Sequence, residues 1–383
     1  MNYNHPYKND STTVVITMCA IVFVSFTFLW LYFFQADMMA ALQHALSEGQ
    51  THYNRIIGAL VITTVLCLFQ SGIYRVTKLS RYTHALTYFP SVLLLAILSS
   101  VRLEMDNTLG MSYWLWLAPL LTVIWLLTVL AARTIQPYET QGGRGVFSKC
   151  VWVNVLLLCM SFLFIAIMGN TNAAFHYRMH AETALLEGNN DEALRVGEQS
   201  LETDANLTMV RMYALSRKGM LGERLFHYPV DMTCEDMLPT AGTVQFLLYP
   251  VDSLYRHLGA IPRHLMKPMD YLKSILHSGQ AKSAAKDYLL CGYLIDRDLD
   301  GFVRTLTRYY PVNDSLPRHY REALVLYNHQ RSNPVIVYHD PVLDVDFMDM
   351  RELESSCGLD SERHNKALEN YANSYWYYYD YQK

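Results

Sequence analysis

The chain has 383 residues, 51% of them apolar, with 31 Lys and Arg against 35 Asp and Glu and a formal net charge of −4. This near-neutral, slightly acidic balance lacks the basic footprint of a nucleic-acid-binding protein. The length accommodates more than one domain, and the longest apolar runs crowd into the first 170 positions.

Five runs, residues 12–34, 56–74, 85–101, 111–132 and 151–168, contain no Asp, Glu, Lys, Arg or His. A bilayer core takes about 20 apolar residues of helix, and backbone polar groups in lipid must be satisfied within the segment itself. The runs therefore predict a five-helix transmembrane bundle over 1–170. The third run is the shortest and contains Pro90, which suits a straight span less well than a kinked or re-entrant one. The first run is longer than a secretory h-region and has only Lys8 before it, so it reads as an uncleaved anchor.

Between the first two runs, residues 36–55 read as an amphipathic helix. Asp37, His44 and Glu48 fall at i, i+7 and i+11 and share one face. Two carboxylates flanking an imidazole can act as acid, base or metal ligands. The same stripe also suits the solvent side of an interfacial helix, with Met38, Leu42 and Ala45 towards lipid, and this plainer reading is favoured.

Lys8, Arg75, Lys78, Arg81, Arg133, Arg144 and Lys149 lie in one set of loops, while the alternate loops carry only Arg55 and Arg102. The positive-inside rule then places the N-terminus in the cytoplasm and, after an odd number of crossings, the C-terminal domain outside, in the periplasm of a bacterial cell. Tyr53, Tyr113, Trp114, Trp116 and Trp152 suit interfacial aromatic belts. Gly142-Gly-Arg-Gly145 is not followed by a P-loop lysine, and no nucleotide, GxSxG or HExxH motif occurs.

Residues 171–383 carry 22 Lys and Arg against 29 Asp and Glu, a net charge of −7, and their apolar spacing predicts an all-α domain. Helices are expected over 174–186 and 191–202, with Ala193, Leu194 and Leu201 inward, and a third over 207–218. The stretch Gly188-Asn-Asn-Asp-Glu-Ala-Leu194 resembles the turn and second-helix start of a tetratricopeptide repeat, and Gly188 and Gly222 are 34 residues apart, the period of that repeat. TPR-like structure is thus expected over 174–228, although Gly197 stands where a large apolar residue is usual.

Pro239, Pro250, Pro262 and Pro268 then allow only short elements. Helices resume over 269–278, 281–295, 299–310, 316–330, 344–354 and 361–371, with residues 334–339 the one extended piece. Asp340, Asp344, Asp346 and Asp349 lack the glycine and glutamate spacing of a calcium loop. They suit the N-terminal end of a helix carrying Leu343, Phe347, Met350 and Leu353 inward.

The stretches Tyr53-Asn-Arg-Ile-Ile-Gly-Ala59, Phe175-His-Tyr-Arg-Met179, Leu316-Pro-Arg-His-Tyr-Arg-Glu-Ala-Leu324 and Tyr375-Trp-Tyr-Tyr-Tyr379 resemble a bacterial family of multi-pass inner-membrane proteins with a helical, repeat-like tail. The resemblance extends over nearly the whole chain. It implies architecture and bacterial origin, and no activity.

His176 and His180 are one helical turn apart, as a metal-clasping pair would be, but no sequence neighbour supplies the remaining ligands; ordinary surface histidines on a repeat helix are favoured. The aromatic terminus, including Tyr375, Trp376 and Tyr377, either caps the last helices or meets a partner. Cys234, Cys291 and Cys357 form no CxxC, and one disulfide among them is compatible with an oxidising compartment.

Two functional classes follow. In the favoured one, the bilayer-anchored protein is a helical-repeat scaffold that binds an envelope protein and uses no cofactor. In the other, Asp37, His44, Glu48, Arg102, Glu104 and Asp106 converge at the outer membrane surface to act on a lipid-linked glycan, as an enzyme or transporter. Transport favours ionisable groups within spans, where only Gln70 and Asn154 are strongly polar.

Overall fold

The computed structural model describes residues 7–47, 49–79, 82–100, 113–135 and 146–382. It is all-α among these residues and divides into two compact units, Met1–Thr171 and Asn172–Lys383.

In the first unit, α1 (Tyr7–Leu29) continues through a π-helical turn, Trp30–Phe34, into α2 (Ala36–Leu46). Then come α3 (Arg55–Thr77), α4 (Phe89–Ser99), α5 (Trp114–Ile135) and α6 (Lys149–Met168). Among the described residues, four helices are long and apolar enough to cross a bilayer: Thr13–Phe34, Arg55–Thr77, Trp114–Thr134 and Lys149–Met168. The remaining predicted span is a shorter apolar element, His84–Ser99, in which a 3-10 turn over His84–Tyr88 runs into α4. Pro90 explains the break. It lies in the first turn of α4, where its missing N–H costs no intrahelical bond.

The short element is the hub of this unit. It packs on α1, α3, α5 and α6, and Ser91, Val92, Leu93, Leu95, Ala96 and Ser99 are buried. Gln70 on α3 donates to Thr87 Oγ1 at 2.8 Å, and Asn154 Oδ1 on α6 accepts the Ala85 N–H at 2.7 Å. Trp125 on α5 donates its indole N–H to Leu86 O at 2.9 Å, and Trp30 donates to Ser99 Oγ at 2.9 Å. The two polar residues that stand out within the apolar runs therefore tie helices together, as polar groups do where apolar contact with lipid and with protein are nearly equivalent. The expected lipid side of α2 differs at Met38, which is fully buried.

The second unit comprises α7 (Ala173–Leu186), α8 (Asn190–Arg195), α9 (Ala205–Arg217), α10 (Leu221–Arg224), α11 (Val251–Leu258), α12 (Pro268–His277), α13 (Ser283–Ile295), α14 (Leu299–Tyr309), α15 (Arg318–Gln330), α16 (Pro341–Ser356), α17 (Asp360–Tyr371) and α18 (Tyr375–Tyr381). One apolar core runs from Ala181 to Tyr378. Helices α9 and α15 are buried almost all round, and α7 and α8 pack on α9, α12 and α14 on α13, and α16 and α18 on α15.

The helix expected over 191–202 ends at Arg195. Gly197 takes φ +64°, which stops the helix, and a Cβ there would lie 2.7 Å from the Tyr177 ring. Leu201, expected inward, is consequently 67% exposed. The two glycines 34 residues apart serve different ends. Gly188 makes a positive-φ turn, whereas Gly222 lies against Tyr320, whose ring would be 2.5 Å from an added Cβ.

Ala193 is 1% exposed where α8 meets α7 and α9. Ala193→Trp should overpack this contact and destabilise the isolated 172–383 fragment by about 1–3 kcal/mol; an unchanged melting temperature would place Ala193 at a surface.

Between Val230 and Lys267 only the 3-10 turns Cys234–Asp236 and Pro239–Ala241 and the eight-residue α11 form. Cys234, Cys291 and Cys357 are free thiols.

Candidate functional site

The C-terminal unit carries an exposed apolar surface on α16 and the segment before it. Residues 334–339 form no strand, yet their side chains alternate: Val335 and Val337 point outward, while Ile336 packs on the core and Tyr338 is buried. That two-residue period belongs to extended backbone. Asn328 Nδ2 donates to Tyr338 O at 2.6 Å, and the Val335 N–H donates to Tyr327 Oη at 3.3 Å, fixing the segment to α15.

Asp340 then starts α16. Its Oδ1 accepts the Val342 and Leu343 N–H groups at 3.1 and 3.2 Å, and its Oδ2 accepts from Arg321 Nη1 at 2.8 Å. Burial raises its carboxyl pKa, but these donors together hold it below the usual range. Inward, Leu343, Phe347 and Met350 are buried, and Phe347 meets Trp376 edge-on at 5.3 Å. Outward, Val342, Val345 and Met348 are 68, 58 and 55% exposed, bordered by exposed Asp349 and Glu352. A helix that buries one stripe ordinarily leaves a polar opposite face; α16 is apolar on both.

Two buried carboxylate locks hold helices of the C-terminal unit together. In the first, Glu182 on α7 is fully buried; its Oε1 accepts from Arg178 Nε at 2.9 Å and its Oε2 accepts the N–H groups of Leu247, Leu248 and Tyr249 at 2.8, 2.6 and 3.2 Å. In the second, Glu322 on α15 is also fully buried and accepts from Arg318 Nε at 2.8 Å, His319 Nδ1 at 2.9 Å and the Tyr375 N–H at 2.7 Å. Because His319 Nε2 accepts the Phe226 N–H at 3.3 Å, the imidazole is the neutral Nδ1–H tautomer. Burial raises the Glu322 carboxyl, and the His319, Tyr375 and Arg318 donors outweigh it and hold the group below its ordinary range. A third carboxylate, Asp287, accepts from Tyr310 and Tyr320 Oη at 2.7 and 3.1 Å; there burial prevails and the pKa is raised.

Beside the second lock, burial, reinforced by the Arg318 and Arg224 charges, lowers His227 from 6.5 to about 4. Its neutral form is favoured in the fold, so its contribution is complete above pH 6.5 and is lost as pH falls through about 4. Within that window wild type should lose up to about 1.4 kcal/mol per pH unit more than His227→Gln. Parallel stability–pH curves for the two would refute this.

The expected site residues disperse. Asp37 is paired with Arg55 at 2.8 Å, and His44 lies farther along α2. Glu48, Arg102, Glu104 and Asp106 lie outside the described residues, as does Gly142-Gly-Arg-Gly145. His176 and His180 share α7, with His180 Nε2 3.9 Å from Glu192 Oε1. Among the described residues, no group of three or more His, Cys, Asp or Glu side chains is placed to hold a metal ion. Tyr375, Trp376 and Tyr377 are 0, 1 and 3% exposed. Their backbone and rings bind α18 to the core, through Tyr375 Oη to Leu294 O at 3.2 Å and Trp376 Nε1 to Glu322 O at 2.8 Å, so as packed they form no free surface.

Residues 263–382 match the model of a family of unknown function (DUF6057). The match contains α16, the Glu322 lock, and two of the stretches on which the bacterial-family resemblance rests, 316–324 and 375–379. The other two stretches, 53–59 and 175–179, lie outside it. No curated protein matches the chain, and no solved structure does.

The Arg178–Glu182 and Arg318–Glu322 pairs and the outer face of α16 were not among the expected site residues. For the pairs the only sequence signal is Arg and Glu at i, i+4 within a helix whose neighbours are apolar; for α16 it is Val342, Val345 and Met348 at three-residue steps opposite the inward stripe.

Proposed function

We propose that this protein is a membrane-anchored helical scaffold whose C-terminal unit, with TPR-like packing over 174–228, binds an envelope protein through the outer face of α16. The observation that carries this reading is the exposure of Val335, Val337, Val342, Val345 and Met348 on a unit whose buried carboxylates are engaged in holding its own helices. Contiguous exposed apolar surface marks interaction sites. The acidic border, within a unit of net charge −7, calls for a partner with an apolar centre and a basic rim.

In this reading the protein spans a bacterial inner membrane five times, with the N-terminus cytoplasmic and the C-terminal unit periplasmic. The parity rests on His84–Ser99. Its five residues of 3-10 and eleven of α-helix extend roughly 26 Å, close to the roughly 30 Å of a hydrocarbon core. A reporter active only outside the cytoplasm should work when fused after Lys383 and fail when fused between Arg133 and Lys149. The reverse pattern, activity between Arg133 and Lys149 and none after Lys383, would remove His84–Ser99 from the spans and return the C-terminal unit to the cytoplasm.

The binding surface is tested by placing a photo-crosslinking residue in the full chain in intact cells. Val345 and Met348 should give one adduct of the same discrete mass, absent from exposed Lys273 on α12 and removed by Val342→Asp. Adducts of equal yield at all three positions, or none at Val345 and Met348, would reject the surface.

A further inference from the structure

The first unit holds an apolar groove between α3 and α5, and we infer that it binds a phospholipid of the surrounding bilayer with an anionic headgroup. The groove has a volume of ≈ 660 Å³, in the range of pockets that enclose small-molecule ligands. Leu68, Phe69 and Val76 of α3 and Leu126, Val129 and Leu130 of α5 line it. Trp125 contributes to the lining, and its N–H is engaged by Leu86 O. A groove walled by two membrane-length helices opens towards acyl chains, and α5 leaves Leu115, Trp116, Leu120, Val123 and Leu127 more than half exposed.

Charge selects the occupant. Arg133 lines one end of the groove and is exposed; its Nε donates to Thr77 O at 3.0 Å and its Nη2 to Val76 O at 2.8 Å and Thr77 O at 2.7 Å. The guanidinium is thereby pinned to the last turn of α3, and among the described residues no carboxylate pairs with it. Arg75 and Lys78 lie at the same end of α3 and are exposed. An apolar trough ending in basic residues complements an acyl chain joined to a phosphate, and basic sites between transmembrane helices bind anionic headgroups. The groove and its basic end are independent of the proposed partner and of the side on which either terminus lies.

The test follows spin-labelled lipids in the full chain reconstituted into phosphatidylcholine vesicles. Phosphatidylglycerol should be immobilised about fivefold more strongly than phosphatidylcholine. Arg133→Gln should remove that preference and Arg133→Lys should keep it. A Cβ on Gly72, another lining residue, meets nothing within 4 Å, so Gly72→Phe should fill the groove, release both lipids from it, and leave the fold intact. Wild type supplies an arm that needs no variant: high salt should reduce the preference towards one, while soluble glycerol phosphate should not displace the lipid. Equal immobilisation of the two lipids in wild type would overturn the inference. So would a preference that survives in folded Gly72→Phe protein, displacement by glycerol phosphate, or disulfide linkage of two Gly72→Cys copies across this face.

Discussion

Glu182→Ala should destabilise the C-terminal unit by about 3–5 kcal/mol, the cost of breaking a buried ion pair from one side. The substitution leaves Arg178, whose side chain is 7% exposed, without its carboxylate. It also strips the acceptor from the Leu247, Leu248 and Tyr249 N–H groups, each costly if left buried and unsatisfied. The opposite truncation should cost less. In Arg178→Met the carboxylate keeps its three backbone donors and loses a charge-assisted bond worth about 1.5–3 kcal/mol. Urea unfolding of the 172–383 fragment measures both, because Trp376 is its sole tryptophan and is buried. Equal losses, or a larger one for Arg178→Met, would show that the backbone cradle contributes little and that the ion pair dominates.

These locks explain where the amino-acid sequence was legible. Four long spans, the α class, the cap at Asp340 and the inward stripe of Leu343, Phe347 and Met350 all follow from local composition and helical period. The same reasoning misplaces groups whose environment is set by distant chain. Glu182 and Glu322 carry no local sign of their burial because their backbone partners lie more than fifty residues away, at 247–249 and at Tyr375. Helix α8 ends early because Gly197 turns the chain against the Tyr177 ring. The aromatic terminus is ambiguous as sequence, since rings that fill a core and rings that meet a partner have the same composition; in the fold Tyr375 and Trp376 bond to α13 and α15. For His84–Ser99 the difficulty is the solvent: in lipid, burial in protein and exposure to acyl chains select the same residues.

Glu322→Ala should likewise lower stability by about 3–5 kcal/mol, and its pH dependence separates the two locks. Truncation leaves the His319 Nδ1–H and the Tyr375 N–H without acceptors in a fully buried site, whereas Arg318, 41% exposed, can turn to water. The start of α18 should therefore loosen first, exposing Trp376 and shifting its emission to longer wavelength before the unit unfolds. Glu322→Gln keeps the shape but has one acceptor oxygen where the carboxylate has two, so it should fall between wild type and Glu322→Ala. The folded-state pKa of Glu322 is depressed, so its linkage contribution is present above the unfolded value of about 4.3 and is lost as pH falls through the folded value. Glu322→Gln should lack that acid-limb loss while retaining the His227 slope at higher pH, and His227→Gln should show the reverse. Should the two variants flatten the same part of the curve, one coupled transition would replace the two separate titrations argued from these residues.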